Sequence, residues 1–141
     1  MLNFKPSAMV HLLIVDDDED DRDLFCAAVN DVDPAIHCLM AQNGYEALRA
    51  LRSCRLEKPD IIFLDLNMPR MNGLQTLTEL KKDEALKDIP VIIYSTSKLE
   101  EDKEKTKKQG AAAFLTKPTS LDELRIDIEQ LLHEHLQITF K

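Results

Sequence analysis

Val10-His-Leu-Leu-Ile-Val15, followed at once by Asp16-Asp17-Asp18-Glu19-Asp20-Asp21, is the stretch that decides the fold. A short run of branched apolar residues that halts on a block of charge reads as a strand buried on both faces. Three runs of the same kind follow, Ile61-Ile-Phe-Leu64, Val91-Ile-Ile-Tyr94 and Ala111-Ala-Ala-Phe-Leu115, and Ala35-Ile-His-Cys-Leu-Met40 makes a less pure fifth. Between them apolar residues recur at helical spacing: Leu24, Phe25, Ala28 and Val29, then Ala47, Leu48 and Leu51, then Leu74, Leu77 and Leu80. A last helix opens on Ser120-x-x-Glu123, a capping-box pattern, and runs through Leu121, Leu124, Ile128, Leu131 and Leu132. Strict alternation of strand and helix calls for an α/β architecture, a doubly wound five-stranded parallel sheet, because parallel strands need right-handed crossover connections. In such sheets ligands bind beyond the carboxyl ends of the strands, so the residues just after each strand carry the functional reading.

Those residues are Asp16 and Asp17 after strand one, Asp65 after strand three, Ser95 after strand four and Lys117-Pro118 after strand five. Carboxylates crowded together need a counter-charge to stay ionised, and a hard divalent cation with oxygen ligands supplies one, with Mg²⁺ as the natural occupant. Asp65 would then face an incoming phosphoryl group, with Lys117 and Ser95 as partners for its oxygens. Of the acidic run, Asp20 and Asp21 read as first-turn helix residues favoured by the macrodipole.

Other readings of the acids fail on spacing. An EF-hand beginning at Asp16 needs Gly where Asp21 stands and Glu where Ala27 stands. A nucleotide or flavin site would want a glycine- or hydroxyl-rich phosphate loop, and the first loop is densely anionic, with no Walker sequence elsewhere.

The chain has 141 residues, 18 basic and 26 acidic, for a net charge of −8, and is 44% hydrophobic. That fits one domain with a proper core. The negative field repels nucleic acid, so no nucleic-acid partner is expected. The apolar stretch from Ala8 to Val15 is too short for a membrane span or a signal peptide, and the chain reads as cytoplasmic. Cys26, Cys38 and Cys54 are odd in number and lack C-x-x-C spacing, so they are expected to be buried, reduced thiols.

Leu64-Asp65-Leu-Asn67-Met68-Pro69-Arg-Met71-Asn-Gly73, with the acidic pair before it and Ser95 and Lys117-Pro118 after it at matching distances, closely resembles the receiver domains of response regulators in two-component signalling. The resemblance implies a flavodoxin-like receiver fold, (βα)5, with strand order 2-1-3-4-5. A receiver domain would span 9–135, with a C-terminal tail at 136–141 and no output domain. Asp65 would be the phosphoacceptor, receiving its group from a sensor histidine kinase. Asp16, Asp17, Asp65 and the backbone carbonyl of Asn67 would hold Mg²⁺. Ser95, Thr96 and Lys117 would bind the phosphoryl group, and Phe114 would serve as the switch aromatic where many members carry Tyr. Lys117-Pro118 would be a cis peptide, and Asn67 and Ser97 would tune hydrolysis.

On this reading the chain is a signalling switch and not an enzyme in the usual sense. Its partners would be the kinase and a histidine phosphotransfer protein or downstream target. Its alternative is a receiver-like scaffold or dimerisation module that never takes phosphate. A phosphatase of the haloacid-dehalogenase type also uses an aspartyl nucleophile, but it wants a second carboxylate where Asn67 stands.

Two segments depart from the family. Lys98-Leu-Glu-Glu-Asp-Lys-Glu-Lys-Thr-Lys-Lys-Gln109 is polar nearly all round, so helix four should dock loosely and lean on the pairs Glu101–Lys105 and Glu104–Lys108. The alternating tail Leu136-Gln-Ile138-Thr-Phe140-Lys141 is expected either to pack on the domain's own core or to join the last helix in a homodimer.

Overall fold

The computed structural model describes residues 9–138. Its elements in chain order are β1 (His11–Val15), α1 (Glu19–Val32), β2 (His37–Ala41), α2 (Gly44–Arg52), β3 (Ile61–Leu64), α3 (Gly73–Lys82), β4 (Val91–Ser95), α4 (Glu100–Lys108), β5 (Ala113–Thr116) and α5 (Leu121–Leu136). The five strands form one sheet in the order β2-β1-β3-β4-β5, all parallel, as the alternation requires.

Because side chains on a strand alternate faces, each strand feeds two cores. Leu12 and Ile14 of β1 join Phe63, Ile92 and Tyr94 on the face covered by α1 and α5, through Phe25, Val29, Leu124, Ile128 and Leu132. Leu13 and Val15 join Ile62, Leu64, Val91 and Ile93 on the other face, against Ala47, Leu48 and Leu51 of α2 and Leu77 and Leu80 of α3. Phe25 anchors the first core by packing its ring against Phe63 and Tyr94, at centroid distances of 4.8 and 5.3 Å.

Caps fix where the helices begin. Asp18, Asn43, Asn72 and Ser120 each accept a backbone N–H three residues on. The complete reciprocal box forms at α3, between Asn72 and Gln75, in addition to the cap by Ser120.

Several expectations shift. β2 begins and ends later than Ala35–Met40, and β5 begins and ends later than Ala111–Leu115. Both are edge strands, where half-exposure blurs the apolar pattern. The thiol expectation is overturned: Cys26 of α1 is disulfide-bonded to Cys38 of β2, with Cα atoms 5.9 Å apart, while Cys54 is free and exposed. That separation suits a disulfide, and the helix-over-strand crossing that creates it cannot be read from cysteine spacing. The cis expectation at Lys117-Pro118 is also overturned, since every peptide bond among the described residues is trans, the isomer that prolyl bonds intrinsically prefer.

The part of the tail within the described residues serves the domain itself. Ile138 is buried in the first core, and its carbonyl oxygen lies 3.1 Å from His133 Nδ1. Residues 139–141 lie outside the described residues.

Candidate phosphoryl and metal site

Four strand ends converge at one edge of the sheet. β1 hands the chain directly to Asp16, whose N–H bonds Ala41 O at 3.2 Å, and β3 hands it to Asp65, whose N–H bonds Val15 O at 2.9 Å. These ladder bonds hold both carboxylates at the same level as the strands they follow. Ser95 is the last residue of β4, one place earlier than expected, and its carbonyl accepts Lys117 N–H at 2.7 Å, which ties the ends of β4 and β5 together. Asp16, Asp65 and Ser95 are buried and Asp17 is exposed.

Asp16, Asp17 and Asp65 each bring one carboxylate oxygen within 4.8 Å of the others. Three oxygen donors, two walled in by protein and one open to water, fit a hard divalent cation that keeps part of its hydration shell. Asn67 is exposed beside this group, and its N–H reaches Asp65 Oδ1 at 3.4 Å.

Opposite the acids stands Lys117. Its Nζ donates to Asp16 Oδ2 at 2.8 Å and to Asp21 Oδ2 at 2.8 Å, and lies 3.9 Å from Asp65 Oδ2. It also sits 5.1 Å from the centre of the Tyr94 ring, a cation–π contact in the floor of the site. Burial pushes the Asp65 carboxyl up from 3.8 to about 7; Lys117 and the Asn67 N–H oppose this, while Asp16 and Asp17 reinforce it. Burial alone would lower the Lys117 ammonium, but its hydrogen bonds to Asp16 and Asp21 outweigh that and raise it. Tyr94 is pushed up to about 12, first by burial.

Gly73 makes room for this arrangement. A Cβ there would lie 2.2 Å from the Asp65 carbonyl oxygen and 2.7 Å from Leu66 Cα, so the start of α3 can touch the backbone of the Asp65 loop only as glycine.

Sequence reasoning placed Asp16, Asp17, Asp65 and Lys117 together, and the structure brings them together. Ser95 makes no direct bond to Asp65; its Oγ accepts Ser97 N–H at 3.1 Å. Thr96 is exposed. Ser97 Oγ donates to Asp102 Oδ2 at 2.5 Å and accepts Leu99 N–H at 3.2 Å, tying the β4–α4 connection to the first turn of α4. Phe114 is half-buried against the second core, 5.9 Å from Lys103 Nζ. α4 buries only Thr106, and of its two expected pairs Glu101–Lys105 forms, at 2.8 Å, while Glu104–Lys108 does not. Sequence reasoning missed Asp21 and Tyr94. Asp21 stands one helical turn past the end of the acidic pair, a placement that returns it over the site, but five acidic neighbours in the run disguise it.

Residues 12–129 match the response regulator receiver domain family. The protein PilH of Pseudomonas aeruginosa is 36% identical over 124 residues, which cover 88% of this chain and 98% of that protein. Among solved structures, the phosphorylated cyanobacterial phytochrome response regulator RcpA superposes with a TM-score of 0.83 at 29% identity, covering 93% of this chain and 97% of that one. The Mn²⁺-bound form of the response regulator Rcp1 superposes with a TM-score of 0.78 at 26% identity, covering 94% and 99%. The family match over most of the chain, the relative matched over nearly its whole length and the sheet order agree, and the chain belongs to the response regulator receiver domain family of two-component signalling.

Proposed function

We propose that this receiver domain accepts a phosphoryl group on Asp65 from a histidine kinase in a Mg²⁺-dependent reaction, and that the modification changes how it binds a partner. The observation that carries the reading is the convergence of Asp16, Asp17 and Asp65 within 4.8 Å, with a buried lysine 3.9 Å from Asp65. The phosphorylated state of RcpA and the Mn²⁺ ion of Rcp1 belong to relatives of the same fold and support it.

Asp65 supplies the attacking oxygen. One carboxylate oxygen forms the new P–O bond, the P–N bond to the phosphohistidine breaks, and the electron pair returns to the leaving imidazole. The attacking form is the carboxylate, and burial works against it. Mg²⁺ bound to Asp16, Asp17, Asp65 and the Asn67 carbonyl would favour the ionised carboxylates and neutralise charge on the phosphoryl oxygens. Lys117 supplies the protein's own cation to those oxygens. Ser95 would turn its hydroxyl from Ser97 N–H toward the phosphoryl group, with Thr96 contributing backbone beside it. Asn67 and Ser97 would flank the path of the water that later hydrolyses the acyl phosphate. Phe114, beside α4 through Lys103, would transmit the change. This chemistry is self-modification, in keeping with a signalling protein, and the reading places the protein in the cytoplasm beside its kinase. No helix among the described residues is long and apolar enough to cross a membrane.

Intact-mass measurement after incubation with acetyl phosphate, with and without Mg²⁺, tests the proposal. A Mg²⁺-dependent gain of one phosphoryl group, absent in Asp65→Asn, is expected. No gain under any condition would sink it in favour of a phosphorylation-independent scaffold.

A further inference from the structure

Lys117 makes a contact that the chemistry above does not use. An ammonium has three protons to donate and accepts none. Two are committed to Asp16 and Asp21, at 2.8 Å each, while Asp65, the carboxylate it is to serve, stays beyond hydrogen-bond reach at 3.9 Å. The two partners are not equivalent. The Asp16 side chain is 0% exposed, and its other oxygen accepts Asp18 N–H at 3.0 Å. The Asp21 side chain is 38% exposed, on the first turn of α1, held there because its own N–H bonds Asp18 Oδ1. A carboxylate that can return to water is easily abandoned, whereas a buried one left without its cation is not.

We infer that Asp21 is a positioning residue that latches Lys117 away from Asp65 in the resting protein and lets it go when a phosphoryl group claims the ammonium. The inference rests on the reading of Asp65 as phosphoacceptor. In the resting site the latch holds the lysine in a geometry that serves neither the attacking oxygen nor the incoming group. With Nζ 3.9 Å from Asp65 Oδ2, closing on a phosphoryl group there draws the ammonium away from Asp21, so the contact favours the ground state and slows phosphorylation. Asp16 does not play this part: its fully buried carboxylate keeps Lys117 as counter-ion until a divalent cation replaces it, which leaves Asp21 as the partner that competes with the phosphoryl group for the ammonium. Asp20, the neighbouring acid on the same turn, is exposed and makes no contact with Lys117, so it provides an internal control of equal charge.

The test follows phosphorylation of the full chain by acetyl phosphate at saturating Mg²⁺, by intact mass against time, for the wild type, Asp21→Asn and Asp20→Asn. Asp21→Asn should react about five-fold faster, the size of one partly exposed charge-assisted contact. Asp20→Asn should stay within about two-fold of wild type, since it changes only the general charge, which salt screens. A second readout needs no phosphodonor: proton exchange at Lys117 Nζ, followed by ¹⁵N NMR, should quicken in Asp21→Asn and not in Asp20→Asn, a difference that simple damage to α1 would not reproduce. Equal rates in the two variants would overturn the latch and leave phosphoacceptance standing. Failure of every form of the chain to take phosphate would overturn the reading of Asp65, and the latch with it.

Discussion

Replacing Asp65 by Asn should stabilise the protein at alkaline pH in the absence of divalent cations, and the gain should vanish in acid. Asp65 is 6% exposed, and burial pushes its carboxyl from 3.8 to about 7. Between those values the folded protein keeps a proton that the unfolded chain has released. Unfolding therefore sheds a proton in that window, and the stability of the wild type falls as pH rises from about 4 to about 7, then levels off. A rise from 3.8 to about 7 sets a ceiling of about 4 kcal/mol. Relaxation and water around the site, with its effective dielectric nearer 20 than 4, bring the expected gap to about 2 kcal/mol. Asparagine fills nearly the same volume without the charge, and every other titrating group is common to the two proteins. The difference between them across pH thus reports Asp65 together with its interactions with Lys117, Asp16 and Asp17.

Urea denaturation of wild type and Asp65→Asn, followed by circular dichroism at half-unit steps from pH 4.5 to 8 in a chelator, gives that difference directly. The curves should meet near the acid end and separate by about 2 kcal/mol near pH 8. Added Mg²⁺ should close the gap by stabilising the wild type alone, since the variant lacks one of the three carboxylates. A gap that does not change with pH, or a wild type more stable than the variant at pH 8 in chelator, would refute the account of an under-compensated buried carboxylate.

Gly73→Ala should destabilise by about 3 kcal/mol and weaken phosphorylation, because its Cβ would meet the Asp65 carbonyl and Leu66 Cα, which no rotamer change can relieve. Urea melts beside the acetyl phosphate assay will show whether both losses occur together. Lys117→Ala should cost about 3 kcal/mol in chelator, leaving the buried Asp16 and Asp65 without a cation, and Mg²⁺ should restore part of the loss in the same melts. Thiol titration in denaturant should count one reactive cysteine before reduction, Cys54, and three after. Loss of the Cys26–Cys38 link, which closes a loop of sequence separation 12, should lower stability by about 2–3 kcal/mol. Three thiols before reduction would remove that link from consideration.

What the sequence makes legible follows from what each residue's neighbours demand. β1, β3 and β4 are buried on both faces, and their unbroken apolar runs mark them and the acids that end them. β2 and β5 lie at the sheet edges and carry exposed or half-exposed residues, so their bounds slide by a residue or two. The metal-site acids and Lys117 sit at strand ends, where topology alone brings them together. Asp21 and the Cys26–Cys38 pair depend instead on how α1 rotates over the sheet, a long-range outcome with no local signature. The isomer at Pro118 likewise has no local signature, because the intrinsic preference between the two prolyl states is small.

The same division between stiff and soft parts bears on how a signal would leave the site. Asp65 is locked by a ladder bond between two strands buried on both faces, and the buried Asp16 and Ser95 are tied by ladder bonds to the edge strands beside them, so an added phosphoryl group is not easily accommodated by moving the sheet. The compliant neighbour is α4, which buries only Thr106 and has no side-chain cap at Leu99. A chain of contacts ties it to the site, Ser97 N–H to Ser95 Oγ, Ser97 Oγ to Asp102, and Thr106 Oγ1 to Asp102 O, the last at 2.9 Å, with Thr116 Oγ1 also donating to Ser97 O at 3.3 Å. If Ser95 leaves Ser97 for a phosphoryl oxygen, the first link in that chain breaks, and the helix it steadies has little apolar burial to hold it in place. A polar, weakly docked α4 would then be a functional feature, since an element held by a few hydrogen bonds can change its position for about the free energy of one or two of them.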